Sequence, residues 1–332
     1  MSSDHADLFE KARSLTILVI GDVMVDSYLW GRVDRISPEA PVPVVHVTSR
    51  SSRLGGAANV ALNIRALGAR PVVASVIGDD DNGARLERLF KEQELSTEGL
   101  VRSKERMTTV KTRVISGHQH MVRVDEEQED DLSQNDGSKL IAIVEQMIAQ
   151  HRPDALIFED YNKGVLTHNV IATIIEKART SGIPIAVDPK KRNFFSYEKV
   201  DLFKPNLKEL REGLKMDVEA GDIDSIRTAV IELEKRIGNA SSMITLSEHG
   251  IYMRNAGAEH VIPAHVRKIA DVSGAGDTVI AIAAIALALG RDPLQIAELA
   301  NLAGGLVCEE IGVVPIDPKR LKEEIARLSH SA

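Results

Sequence analysis

Short apolar runs rich in Val and Ile recur along the chain, separated by amphipathic stretches. The runs at 15–21, 71–78, 155–158, 184–187 and 243–246 are apolar almost throughout and carry no charge. That pattern predicts strands buried on both faces of a largely parallel sheet. Segments at 57–67, 82–90, 139–149, 165–180 and 223–237 repeat their apolar positions at helical spacing. Strands that alternate with helices give an α/β layered fold. No fixed-period repeat, low-complexity tract or Gly/Ser-rich linker interrupts the pattern, so the expectation is one domain over residues 1–332.

Two regions break the rhythm. Residues 26–47 and 108–127, the second turning near Gly117, lack helical periodicity and read as strand pairs. Strand pairs are marginal alone, so together they are expected to form a small sheet that covers a site as a lid or packs on another subunit. A third feature is the eleven-residue apolar run at 279–289. It is too short to span a bilayer, and its Ala content predicts a buried helix with Gly290 as its stop. Gly274-Ala275-Gly276 then falls at the helix start, where unpaired N–H groups and the dipole favour anions. Asp277 follows them, either as an ordinary first-turn acid or as a group that does chemistry.

Composition narrows the function class. Forty-one basic against 49 acidic residues give a net charge of −8, which argues against nucleic acid or an anionic membrane as partner. A single cysteine, Cys308, excludes an internal disulfide and a cysteine-rich zinc site. The first fourteen residues carry acids and no apolar core, unlike a secretory signal, so a reducing, cytoplasmic location is expected.

Polar groups cluster where the predicted strands end, the usual place for ligands in open α/β sheets. Asp22 and Asp26 flank the exit of the first strand and suit sugar hydroxyls, a metal or a solvated turn. Gly55 and Gly56 precede a helix bearing Asn59, either as turn chemistry or as a place where backbone approaches a ligand. Lys163 in FEDYNKG, and Asp188 and Lys190 in VDPKKR, are candidates for phosphate or magnesium contacts, or solvent-facing loop charges. In KPNLKE, Asn206 and Glu209 share one side of a helix's first turn and also fit a capping box.

GGAANVALNIRALGA and DVSGAGDTVIAIAAIALALG, about two hundred residues apart, closely resemble the two signatures of the ribokinase-like carbohydrate kinases. DPK and N-x-x-E lie between them in the expected order, and the resemblance spans roughly residues 15–328. Within that family, GDVMVDSYLWGRVDRISPEAPVPVV and KTRVISGHQHMVRVDEE resemble the kinases of D-glycero-β-D-manno-heptose 7-phosphate. No H-x-G-H motif of an attached nucleotidyltransferase is present, which resembles a stand-alone kinase.

The resemblance implies a three-layer sandwich with a β-sheet lid, and ATP and Mg2+ as cofactors. It implies Asp277 as the base that takes the proton of the anomeric hydroxyl, with Gly274, Ala275 and Gly276 holding the transferring phosphoryl group. Asn206 and Glu209 would serve magnesium and the ATP phosphates, with Asp188 and Lys190 nearby, and Thr245 and Gly250 would lie on the nucleotide side. Asp26, Gly55, Gly56 and Asn59 would meet the sugar. For its distal phosphate, Lys111 and Arg113 share a strand face, with Arg35 and Lys163 as further cations. The implied product is heptose 1,7-bisphosphate for a lipopolysaccharide-type pathway. A homodimer through the lid is expected, and the family also admits a monovalent cation, for which no ligands are identified in this sequence. Two positions depart from the pattern: Ser247, where many relatives carry glycine, and Glu159, where heptose kinases tend to carry a small residue. The alternatives are a kinase for another sugar and a non-catalytic sugar-phosphate sensor. An NAD-dependent oxidoreductase is disfavoured, because no G-x-G-x-x-G follows the first strand.

Overall fold

The first predicted run forms strand β1 (Thr16–Gly21), and its side chains divide between two cores. Ile17 and Val19 point into one apolar cluster, Leu18 and Ile20 into the other, because successive strand residues face opposite sides of a sheet. The computed structural model describes residues 7–117, 119–265 and 267–329. Residues 1–6 of the acidic N-terminal stretch, and His118 beside the predicted turn, lie outside that range.

The remaining strands are β2 (Val23–Ile36), β3 (Pro43–Gly56), β4 (Arg70–Gly78), β5 (Leu100–Ser103), β6 (Val110–Ser116), β7 (Gln119–Glu126), β8 (Ala155–Glu159), β9 (Ile185–Asp188), β10 (Leu202–Phe203), β11 (Ser241–Thr245), β12 (Ile251–Asn255) and β13 (Ala258–Ile262). Among the described residues, β1 and eight of these form one sheet in the order β13-β12-β11-β10-β9-β8-β1-β4-β5. It is parallel except at one edge, where β12 and β13 run antiparallel. Helices Ala57–Ala66, Ala275–Ala288 and Pro293–Val307 cover one face; helices Gln134–His151, His168–Thr180, Leu207–Leu214 and Ile223–Ile237 cover the other. The layering is thus helix, sheet, helix. No helix among the described residues is long and apolar enough to cross a membrane.

Both strand-rich regions form the second sheet, in the order β3-β2-β6-β7. Its pairs reach further towards the main sheet than the expected 26–47, because β2 and β3 stay in register back to Val23 and Gly56. The helix expected at 165–180 begins only at His168, where the Thr167 side chain accepts from Val170 N and caps it. The helix expected at 139–149 starts earlier, at Gln134, capped by Ser133.

Candidate active site

The carboxyl ends of the parallel strands bring the polar groups together. Asp22 directly follows β1; Glu159, Asp188 and Thr245 end β8, β9 and β11; Lys204 follows β10. Helix Ala275–Ala288 starts against them, with Gly274 as its N-cap in the left-handed region (φ 81°) and Asp277 in its first turn. Gly290 (φ 67°) follows as the predicted stop. The helix is buried along most of its length, so its N-terminus is anchored in the core.

Asp277 is buried and held at both oxygens. Asn59 Nδ2 donates to Oδ2 at 2.7 Å, and the Tyr161 hydroxyl donates to Oδ1 at 2.7 Å. Burial pushes its pKa up to about 6, although the donors Asn59 and Tyr161 pull the other way. Gly274 permits this closeness, because a Cβ there would lie 3.0 Å from Asn59 Nδ2. Asn59 is in turn fixed by Asn63, whose Nδ2 donates to the Asn59 carbonyl at 3.0 Å. Asn63 Oδ1 accepts from Thr278 Oγ1 at 3.0 Å and from Ile316 N at 2.9 Å. One buried amide thereby joins the Asn59 helix to the Asp277 helix. The N–H of Ala275 donates to the Val272 carbonyl at 3.3 Å.

On one side of Asp277 lie Asp26, Gly55 and Gly56. The Asp26 carboxylate sits where a Cβ on Gly55 would be, and the Asp22 carbonyl crowds the same place on Gly56 (φ 61°). Arg113 donates to Asp26 Oδ1. Lys111 and Arg113 do share a face of β6, and each already has acidic partners. Lys111 Nζ lies 3.2 Å from Asp125 and 2.6 Å from Glu127; Lys163 Nζ lies 2.9 Å from Glu127 and 2.8 Å from Glu129. Arg35 stands apart from the other expected cations. It lies exposed near the far end of β2, opposite Val44, nine residues beyond Asp26 along an extended strand that rises ~3.3 Å per residue. Arg53 pairs with Asp26 across β2 and β3; its Nη1 donates to the Val313 carbonyl at 2.9 Å, and its guanidinium stands 5.3 Å from the Tyr28 ring centre.

On the other side are the predicted nucleotide residues. Lys204 Nζ meets Asp188 Oδ2 at 2.6 Å, and both lie beside Gly276. Lys190 donates to Glu209 and stands 3.8 Å from Asp188 Oδ1. Burial alone would lower the Lys190 and Lys204 pKa values, but Asp188 and Glu209 outweigh it and both are raised. Asn206 and Glu209 form the reciprocal capping box, with bonds of 2.8 Å each way. Asn206 also bridges Thr245, and Gly250 (φ 89°) closes the turn after it. Ser247 has φ 54°. That region suits glycine, which gives a physical reason for a glycine at this position; Ser247 takes up the same conformation with a side chain.

The sequence reading passed over three side chains: Tyr161, Lys204 and Asn63. All stand within quoted motifs, but only their contacts across the fold mark them out. Glu159, noted as a departure, is fully buried with both carboxyl oxygens lacking a hydrogen-bond partner. Burial, then Asp188 and Asp277, push its pKa well above the usual carboxylate range.

Comparison with known proteins shows the family and the fold. The family model described as "pfkB family carbohydrate kinase" matches residues 14–320. The "Bifunctional protein HldE" of Pelobacter propionicus is 39% identical over 328 residues, which cover 98% of this chain and 66% of that protein. Its namesake in Caulobacter vibrioides is 44% identical over 299 residues, covering 90% and 60%. The chain thus spans slightly less than two thirds of the length of these curated relatives. Among solved structures, phosphofructokinase-2 from Escherichia coli in complex with potassium superposes with a TM-score of 0.79 at 18% identity, covering 95% of this chain and 99% of that one. Arabidopsis thaliana ribokinase complexed with ribose and ATP gives 0.71 at 17% identity, covering 93% and 99%. At such identities the likeness is one of fold.

Proposed function

The chain belongs to the pfkB family of carbohydrate kinases, and from that premise we propose that it phosphorylates the anomeric hydroxyl of D-glycero-β-D-manno-heptose 7-phosphate with ATP, giving heptose 1,7-bisphosphate for a lipopolysaccharide-type pathway. The observation that carries the reading is the placement of Asp277. It is a buried carboxylate with both oxygens fixed, between a sugar-side group of Asp26, Gly55 and Asn59 and a nucleotide-side group of Lys190, Asn206 and Glu209. The choice of heptose rests on the resemblance of the β2–β3 and β6–β7 segments.

With a pKa of about 6, Asp277 is mostly ionised at pH 7 and takes the hydroxyl proton as the sugar oxygen bonds to the γ-phosphorus. The bond from that phosphorus to the bridging oxygen breaks, and ADP leaves. The backbone of Gly274, Ala275 and Gly276 faces the transferring group from the positive end of the helix, a preorganised electrostatic contribution. For Ala275 this requires its long bond to Val272 to open.

The residues present fit a magnesium ion carried in with the nucleotide. Among the described residues no group of three or more His, Cys, Asp or Glu side chains could hold a metal by itself, and such sites commonly use one or two carboxylates plus phosphates and water. Asn206 and Glu209 would hold it, since each Glu209 oxygen keeps a lone pair beyond its bond to Lys190 or to Asn206 N. Bound there, the ion would neutralise phosphate charge.

The distal phosphate of the sugar is assigned to Lys111 and Arg113, with Lys163 beside them, and the phosphate would compete with Asp26, Asp125 and Glu127 for these cations. ADP release measured with heptose 7-phosphate, fructose 6-phosphate and ribose tests the whole reading. Heptose 7-phosphate is expected to be the best substrate, and Arg113→Ala to raise its KM while leaving that for ATP nearly unchanged. Preference for another sugar overturns the substrate; no ADP from any sugar points to a sensor.

A further inference from the structure

Tyr161 is tied at three points. Its backbone N–H donates to Asp22 Oδ2 at 2.8 Å, its hydroxyl donates to Asp277 Oδ1 at 2.7 Å, and its ring lies 5.4 Å from Lys190 Nζ. Asp22 also accepts from Lys163 N at 3.1 Å and Val165 N at 3.2 Å. The loop after β8 is therefore wound around one buried carboxylate at the exit of β1, which leaves the Tyr161 side chain little choice of direction.

We propose that Tyr161 is a positioning residue for phosphoryl transfer: its hydroxyl holds the Asp277 carboxylate in its reactive orientation and stabilises its charged form, while its ring seats Lys190 on the nucleotide side. This rests on the reading of Asp277 as the base. Of the two donors to that carboxylate, Asn59 comes from the helix that follows Gly55-Gly56 and Tyr161 from the β8 loop. Together they hold both oxygens while leaving lone pairs for the substrate proton. Burial works against the charged form, and the two hydrogen bonds offset part of that cost. The other groups facing Asp277 are Asp188 and Lys204 from the ends of β9 and β10 and Glu159 from β8, whose pKa burial raises; Lys190 stands over the Tyr161 ring. None of these is altered when the phenol hydroxyl alone is removed.

Tyr161→Phe makes that change and keeps the ring. In protein labelled with 13C-aspartate, with the Asp277 carboxyl signal assigned by its loss in Asp277→Asn, the titration midpoint of Asp277 is expected above the wild-type value of about 6. 3-Fluorotyrosine at position 161, a stronger donor, is expected to move the midpoint downwards. With whichever sugar the wild type turns over, the acid limb of kcat/KM is expected to shift upwards in Tyr161→Phe, and kcat at pH 7 to fall about tenfold, the scale of one hydrogen bond to a charged group. KM for ATP should change little in Tyr161→Phe and rise in Tyr161→Leu, which also removes the ring under Lys190. An unmoved midpoint in both the phenylalanine and fluorotyrosine proteins overturns the proposal, as does a wild-type acid limb in Tyr161→Phe. If no sugar is turned over, the proposed function fails, while the carboxyl titration still decides the role of Tyr161.

Discussion

Asp277 stands where a helix N-terminus and two donors favour the carboxylate while burial disfavours it, and burial outweighs them to leave its pKa near 6. The sign of the pH dependence follows. As pH falls through about 6, Asp277 takes up a proton and can no longer accept one from the sugar, so kcat/KM is expected to drop on the acid side. Asp277→Asn keeps the size of the side chain but cannot act as a base, and turnover should fall by about 10²–10⁴-fold, with ATP binding retained by calorimetry. Near-wild-type turnover would leave Asp277 as a helix-start acid only. This residue was legible in the sequence, because the glycines and the apolar run around it fix its position in a helix's first turn. Tyr161 was not, because what orients it is Asp22, 139 positions away in the chain, and no local pattern encodes that contact. Lys204 was hidden for a related reason: it follows a strand of only two residues, Leu202–Phe203, too short to show any periodicity.

At the scale of elements, the long buried runs were readable and the short or half-exposed ones were not. β1, β4 and β8 appear close to their predicted limits because a strand covered on both faces is apolar along nearly all of its length. The antiparallel strands β12 and β13 carry exposed residues such as Val261 and polar ones such as Arg254 and Glu259, so no clean run marks them. Helix Pro293–Val307 was not predicted, although it opens with a capping box at Asp292 and Gln295; being apolar on most sides, it shows no clear one-sided periodicity. The capping box at Asn206 and Glu209 shows the opposite case, in which the structural explanation offered by the sequence is correct and leaves room for a ligand. The start of helix Ala275–Ala288 yields a prediction of its own. Gly274 has φ 81°, and an added Cβ would press on Asn59 Nδ2 at 3.0 Å. Gly274→Ala is expected to cost about 1–2 kcal/mol in stability, the penalty of an L side chain in the left-handed region. It should also lower kcat more than it raises either KM, because the atom displaced is a donor to Asp277. Denaturant melts and steady-state kinetics check both parts; an unchanged kcat would show that Asn59 does not need its present position.

At the scale of the whole molecule, the second sheet has two ends with different surroundings. Near the main sheet, β2 and β3 supply Asp26, Gly55 and Gly56, and Tyr28 joins them to the Gly312–Val313 loop through Val313 N at 3.4 Å. Further out, the same strands carry Leu29, Trp30, Val33, Val44 and Val45, all only partly buried. Trp30 stacks on Tyr28 at 5.9 Å between ring centres, and Val122 and Val124 on β7 are about half exposed. A sheet with apolar groups left in water is a liability that a partner surface removes. The partner expected is a second copy of the chain, as the resemblance to lid-dimerised sugar kinases implies. A stable dimer of standard size buries about 800 Å² on each partner, and the outer halves of two fourteen-residue strands with their β6 and β7 neighbours are the surface assigned to supply it. The expected result in sedimentation at micromolar concentration is a dimer for the wild type and a monomer for Trp30→Glu, since a carboxylate facing an apolar partner is strongly unfavourable. Because β2 runs without interruption from Trp30 to Asp26, loss of the dimer should also raise KM for the sugar phosphate while KM for ATP, whose proposed residues lie on β9 to β11 and the segments after them, stays nearly constant. A monomeric wild type, or a Trp30→Glu protein that remains dimeric, would rule out this interface.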